Sequence, residues 1–116
     1  MGVETALLPG IVFIDGSGPG DVDEWGGWPE WISSCGVVVL RHAKPGTGAP
    51  GDWRQQTISD RADDTLAAVG LLRSWPGVDA SRVGVMGFSQ GGWVAPVVGT
   101  RAPQLVAFLI NVSGPG

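Results

Sequence analysis

The sequence predicts an α/β fold, with about four parallel β-strands and helices on both faces of the sheet. Two observations carry this. Short apolar runs alternate with helix-compatible segments in the order strand, helix, strand, helix, strand, helix, strand. That alternation implies right-handed crossovers between parallel strands. The apolar runs are also continuous rather than alternating, as expected of strands covered on both faces. With 116 residues, 43% of them hydrophobic and 16% charged, the chain suits one small domain with one core and is too apolar to read as disordered.

The first strand is Ile11-Val12-Phe13-Ile14, a largely β-branched run that stops at Asp15-Gly16. Gly16-Ser17-Gly18-Pro19-Gly20 must then be a loop. Trp25, Trp28 and Trp31 recur at a spacing that suits one helical face, but Gly26-Gly27 and Pro29 limit the helix to about residues 29–34. The second strand is expected at 36–40, followed by a Gly/Pro-rich loop at 44–53. The clearest helix begins at Ser59, with Ile58, Ala62, Leu66, Val69 and Leu72 on one apolar face. Ser59 is the expected cap, Asp60, Asp63 and Asp64 complement the helix dipole, and Trp75-Pro76-Gly77 ends the helix. The third strand is expected at 82–86, a helix at 92–100 with Pro96 tolerable only in its first turns, and the fourth strand at 105–110. These elements form one domain over residues 1–116.

The segment joining the third strand to its helix carries the chemistry. It reads Gly87-Phe88-Ser89-Gln90-Gly91-Gly92, a Gly-x-Ser-x-Gly pattern with a strand before it and a helix after it. A serine works best as a nucleophile when its Oγ stands on a sharp strand-to-helix turn. Glycines at 87 and 91 let strand and helix approach with no Cβ between them. The helix N-terminus also offers free N–H groups to a developing oxyanion. In a chain with 20 glycines the bland reading, a Gly-rich turn without chemistry, stands beside this one.

Other functions find little support. Residues 16–20 fail G-x-G-x-x-G because Asp21 holds the last glycine position, and Pro19 removes an N–H that a pyrophosphate would use. No G-x-x-x-x-G-K-[ST] is present, which excludes a P-loop. The net charge of −4 and the lack of a basic run argue against a nucleic-acid partner. Cys35 is the single cysteine, so no internal disulfide can form, and a reduced cytoplasmic setting is expected. No metal site and no cofactor are expected. The first residues lack the basic and apolar regions of a signal peptide, and no run approaches 18 apolar residues, so no membrane span is expected. Trp25, Trp28 and Trp31 read first as packing, with an apolar acyl pocket as the alternative.

Taken together, residues 11–116 resemble the central part of an α/β-hydrolase of the esterase, thioesterase and prolyl-oligopeptidase-like kind. Ile14-Asp15-Gly16-Ser17-Gly18-Pro19-Gly20 resembles the oxyanion loop after that family's third strand. Lys44-Pro45-Gly46-Thr47-Gly48 with Gly51-Asp52-Trp53 resembles the loop after its fourth. Gly87-Phe88-Ser89-Gln90-Gly91-Gly92 resembles the nucleophile elbow after its fifth, and residues 111–116 the end of its sixth. The resemblance implies a partial α/β-hydrolase fold and hydrolysis of an ester, thioester or similar small-molecule acyl substrate. It implies Ser89 as the nucleophile, the backbone N–H groups of Gln90 and Ser17 as oxyanion donors, and Gly16, Gly18, Gly87 and Gly91 as shaping the two loops.

The chain departs from the family pattern in three ways. Asp15 stands where the family has His, and a carboxylate there would either oppose an oxyanion or simply bond the turn at residues 16–18. His42-Ala43 stands where Tyr-Asp is common. The catalytic acid and histidine of the family come from loops after later strands, and a complete member is roughly twice this length. His42, the only histidine, is then the one candidate base. In the family's strand order it lies two strand spacings from Ser89, roughly 9–10 Å at the backbone. Asp15 would lie between them, which is the wrong order for a triad. The alternative reading is a non-catalytic or partner-dependent fragment. Its two apolar sheet edges, along 36–40 and 105–110, would pair with another copy or with a completing chain.

Overall fold

A computed structural model describes residues 7–14, 28–41, 57–88 and 91–112. The elements are β1 (Leu8–Ile14), α1 (Trp28–Ser34), β2 (Val38–Arg41), α2 (Ile58–Arg73), β3 (Val78–Phe88), α3 (Gly91–Arg101) and β4 (Leu109–Val112). The four strands form one sheet in the order β2-β1-β3-β4, and every neighbouring pair is parallel. The chain therefore runs outward from β1 to one edge, returns across β1 to β3, and continues to the other edge.

The sheet is covered unequally on its two faces. Val12 and Ile14 of β1 and Val83 and Val85 of β3 point to one side. There they meet Ala62, Ala68, Val69 and Leu72 of α2 and Val94, Ala95 and Val98 of α3. Ile11 and Phe13 of β1 and Met86 of β3 point to the other side and meet Ile32 of α1. Phe88, Phe108 and Val112 extend that second cluster and are only partly buried. Successive strand residues alternate between faces, so a strand covered on both sides must be apolar at every position. Ile11 to Ile14 and Val83 to Met86 meet that demand, and all are buried.

The observed elements differ from expectation at their ends. β1 begins at Leu8, with Pro9 and Gly10 inside it, and its register against β3 shifts between Leu8 and Gly10. An irregularity at that point tolerates a proline, which has no N–H to give a ladder. β3 begins at Val78, so polar Asp79, Ser81 and Arg82 belong to the strand. Asp79 accepts from the Ser81 hydroxyl and from Arg82 Nε, and Arg82 also donates to the Leu7 carbonyl at 2.7 Å. These bonds hold the start of β3 against the start of β1. The Asp79 carboxylate thus accepts from the Ser81 hydroxyl, the Ser81 N–H and the Arg82 guanidinium. The Ser81 hydroxyl, then Arg82, then the Ser81 N–H hold its pKa down at about 2.

The strand expected at 105–110 forms instead at Leu109–Val112. Ala107 N–H and Phe108 C=O already bond to Val83 and Val85 of β3. Leu105 and Val106 are spent on the core beneath the helices, and the Phe108 ring lies over Gly84, where a Cβ would stand 2.6 Å from its Cγ. The second strand is also later than expected, at Val38–Arg41, because Gly36 takes a φ of +86° in the turn that ends α1.

The cap of α2 is Thr57, not Ser59. The Thr57 side chain accepts from the Asp60 N–H, and Asp60 accepts from the Thr57 N–H, both at 3.0 Å, which is a complete capping box. Ser59 sits in the first turn and bonds Arg101 of α3, as does Asp63 at 2.7 Å. The buried stripe of α2 includes Arg61, Thr65 and Ala68, while Ile58 and Leu66 are half-buried. Pro96 is the sixth residue of α3 and exposed, on the side of the helix away from the sheet. Trp25 lies outside the described residues; Trp31 is 62% exposed and so is not the packing residue its spacing suggested.

Candidate functional site

All four strands are parallel, so their C-terminal ends, Ile14, Arg41, Phe88 and Val112, lie along one edge of the sheet. The segments that the sequence marks for function follow these ends directly. The register aligns Phe13 with both Arg41 and Met86, Ile14 with Gly87, and Phe88 with Val112. β1 and β3 are adjacent and interior, so the segments leaving them start side by side on the most buried part of the sheet.

The two strands send their chains in opposite directions. After β1 the chain goes to α1, on the face of Ile11 and Phe13; after β3 it goes to α3, on the face of Val83 and Val85. Adjacent parallel strands whose connections leave to opposite faces open a crevice at their C-terminal ends. In open α/β sheets ligands bind at such a point. Among the described strands β1 and β3 form this switch.

At the same point strand and helix come unusually close. β3 ends at Phe88 and α3 begins at Gly91, so only positions 89 and 90 separate them. A Cβ built on Gly87 would overlap the Gly91 carbonyl, stand 2.5 Å from the Gly91 carbonyl carbon and 2.8 Å from the Gly92 nitrogen. Gly91 and Gly92 are both buried at the helix start. Only a residue without a side chain fits at 87, because the obstacle is helix backbone and cannot turn away. The N–H groups of the first turn of α3 have no partner within the helix, so its positive dipole end faces the same crevice.

Of the residues the sequence singled out, Gly87 and Gly91 are the two in view. Ser89, Gln90, Asp15, Gly16, Ser17, Gly18 and His42 lie outside the described residues. The ends of their strands still set a scale. Arg41 and Phe88 stand on strands separated by β1, and two strand spacings amount to about 9–10 Å.

A cleft of ≈ 580 Å³ between α1 and β2 is lined by Pro29, Glu30, Ser33, Ser34, Val39 and Arg41. It opens on the outer strand, away from Gly87, and does not coincide with the switch point. Among the described residues no group of three His, Cys, Asp or Glu side chains could hold a metal ion. Sequence reasoning passed over Gly10 and Gly84. A Cβ on Gly10 would stand 2.8 Å from Leu72 Cδ2, and one on Gly84 would overlap the Phe108 ring. An isolated glycine inside an apolar strand is the signal for such close approaches.

Residues 46–111 match the model of the dienelactone hydrolase family. Esterase EstD of Thermotoga maritima is 35% identical over 104 residues, which cover 82% of this chain and 24% of EstD. Solved structures share the fold. Est1E of Butyrivibrio proteoclasticus, solved with ferulic acid bound, has a TM-score of 0.79 at 23% identity, over 93% of this chain and 43% of that one. The α/β-hydrolase GrgF of a Penicillium species has a TM-score of 0.81 at 22% identity, over 95% of this chain and 38% of that one. The chain thus spans about a quarter of the length of EstD and less than half of either structure.

Proposed function

Because the chain belongs to the dienelactone hydrolase family of α/β-hydrolases, we propose that it is a serine hydrolase of ester, thioester or similar acyl bonds, with Ser89 as its nucleophile. The observation that carries this reading is the collision a Cβ at Gly87 would make with the start of α3. A two-residue connection between an interior strand and a helix packed that closely is the setting in which a serine Oγ is held out over the sheet edge.

The chemistry follows from that position. Ser89 Oγ attacks the acyl carbonyl carbon, and its proton passes to a base. The carbonyl oxygen takes the negative charge, and two backbone donors receive it, the N–H of Gln90 at the start of α3 and the N–H of Ser17 after β1. Gly16 and Gly18 shape the loop that carries Ser17. The adjacency of β1 and β3 supports this pairing, since their loops start side by side. Collapse of the tetrahedral adduct expels the alcohol or thiol with the proton from the base. Water then attacks the acyl-serine by the same route and releases the acid.

His42 follows β2 and Asp15 follows β1, which lies between β2 and β3, an order in which the imidazole does not stand between the serine and the carboxylate. The second reading therefore keeps a specific support. The chain is a partner-dependent part of a hydrolase, completed by another copy or another chain along the sheet edges. Leu109 and Ile110 of edge strand β4 are 38% and 40% exposed, and residues 105–112 carry no charge or proline to discourage pairing.

Turnover of a short-chain p-nitrophenyl ester separates the readings. Ser89→Ala is expected to lower the rate to the uncatalysed level, and His42→Ala tests the improvised base. Equal turnover by wild type and Ser89→Ala refutes the nucleophile. A folded wild-type chain that is inert, and that sedimentation finds self-associated, supports the second reading instead.

A further inference from the structure

We draw no further inference here: the strongest candidate, the apolar face that Phe88, Phe108, Ile110 and Val112 present on the β3–β4 half of the sheet opposite α2 and α3, carries nothing because nothing in the structure shows what covers it.

Discussion

Replacing Gly87 by alanine tests the strand–helix contact on which the site depends. The new Cβ would overlap the Gly91 carbonyl and stand 2.8 Å from the Gly92 nitrogen. Both are backbone atoms of α3, whose Val94, Ala95 and Val98 are fully buried against the sheet. The helix cannot yield without disturbing that core. Overpacking costs about 1–3 kcal/mol, and against helix backbone that cannot turn away the upper part of that range, about 2–3 kcal/mol, applies. Gly87 does not have a left-handed φ, so alanine also recovers about 0.4–1 kcal/mol from the unfolded chain. The net expectation is a loss of about 1–2.5 kcal/mol. At about 2.1 cal/mol/K per residue, a chain of this size loses about 4 °C of Tm per kcal/mol, so the Tm should fall by about 4–10 °C. Gly70→Ala is the control. Gly70 is exposed within α2 and a Cβ there meets nothing within 4 Å. It should stabilise by about 0.5–1 kcal/mol, which raises Tm by about 2–4 °C. Calorimetric melts of the three proteins decide the matter. If Gly87→Ala melts at or above wild type while Gly70→Ala behaves as expected, the strand and helix do not approach as described.

Three further outcomes follow from the packing. Gly84→Ala should cost about 1–2 kcal/mol through its clash with the Phe108 ring, and a double-mutant cycle with Phe108→Ala should be non-additive by at least ~0.5 kcal/mol. Thr57→Ala removes the side-chain half of the capping box, the Thr57 Oγ1 that accepts from the Asp60 N–H, and leaves the backbone half; it should destabilise by about 1 kcal/mol in urea titrations, with the m-value unchanged. The Asp79 carboxylate is held down at about 2 by Ser81 and Arg82. Its contribution is therefore complete above its unfolded pKa of about 3.9 and is lost as pH falls from there through 2. Asp79→Asn should flatten the stability profile across that window and leave its slope above pH 5 unchanged; an unaltered acid slope would contradict the described bonds.

The alternation of strands and helices, the crossovers and the two covered faces were legible because buried parallel strands need apolar residues at every position. Ile11-Val12-Phe13-Ile14 and Val83-Gly84-Val85-Met86 supply them. The strand order, by contrast, was implied only by the family resemblance. The ends were not legible, because they are fixed by contacts distant in sequence. Pro9 and Gly10 stood outside the strand expected at 11–14, yet Leu8 N–H donates to the Gly77 carbonyl and β1 runs over them. Asp79, Ala80 and Ser81 stood outside the strand expected at 82–86, yet β3 begins at Val78, and Arg82 reaches Leu7 beside the start of β1. Leu105 and Val106 read as strand, but their apolar side chains serve the core below α2 and α3, and Arg73 also binds the Leu105 carbonyl at 3.4 Å. Ser59 and Thr57 are both competent caps by composition. Asp60, three residues after Thr57, completes a box for one and not the other. Of the site, the glycines at 87 and 91 were legible from the motif. The switch point between β1 and β3 was not, since it depends on which face each helix takes.

Whether Ser89 is an activated nucleophile is tested most directly by treating the purified chain with a fluorophosphonate and measuring intact mass, beside the Ser89→Ala variant. Circular dichroism on both samples confirms that they are folded. The proposed function predicts one covalent adduct on wild type, mapped to Ser89 by peptide mass, and none on Ser89→Ala. A folded wild-type chain with no adduct, or an adduct that persists in Ser89→Ala, would contradict it.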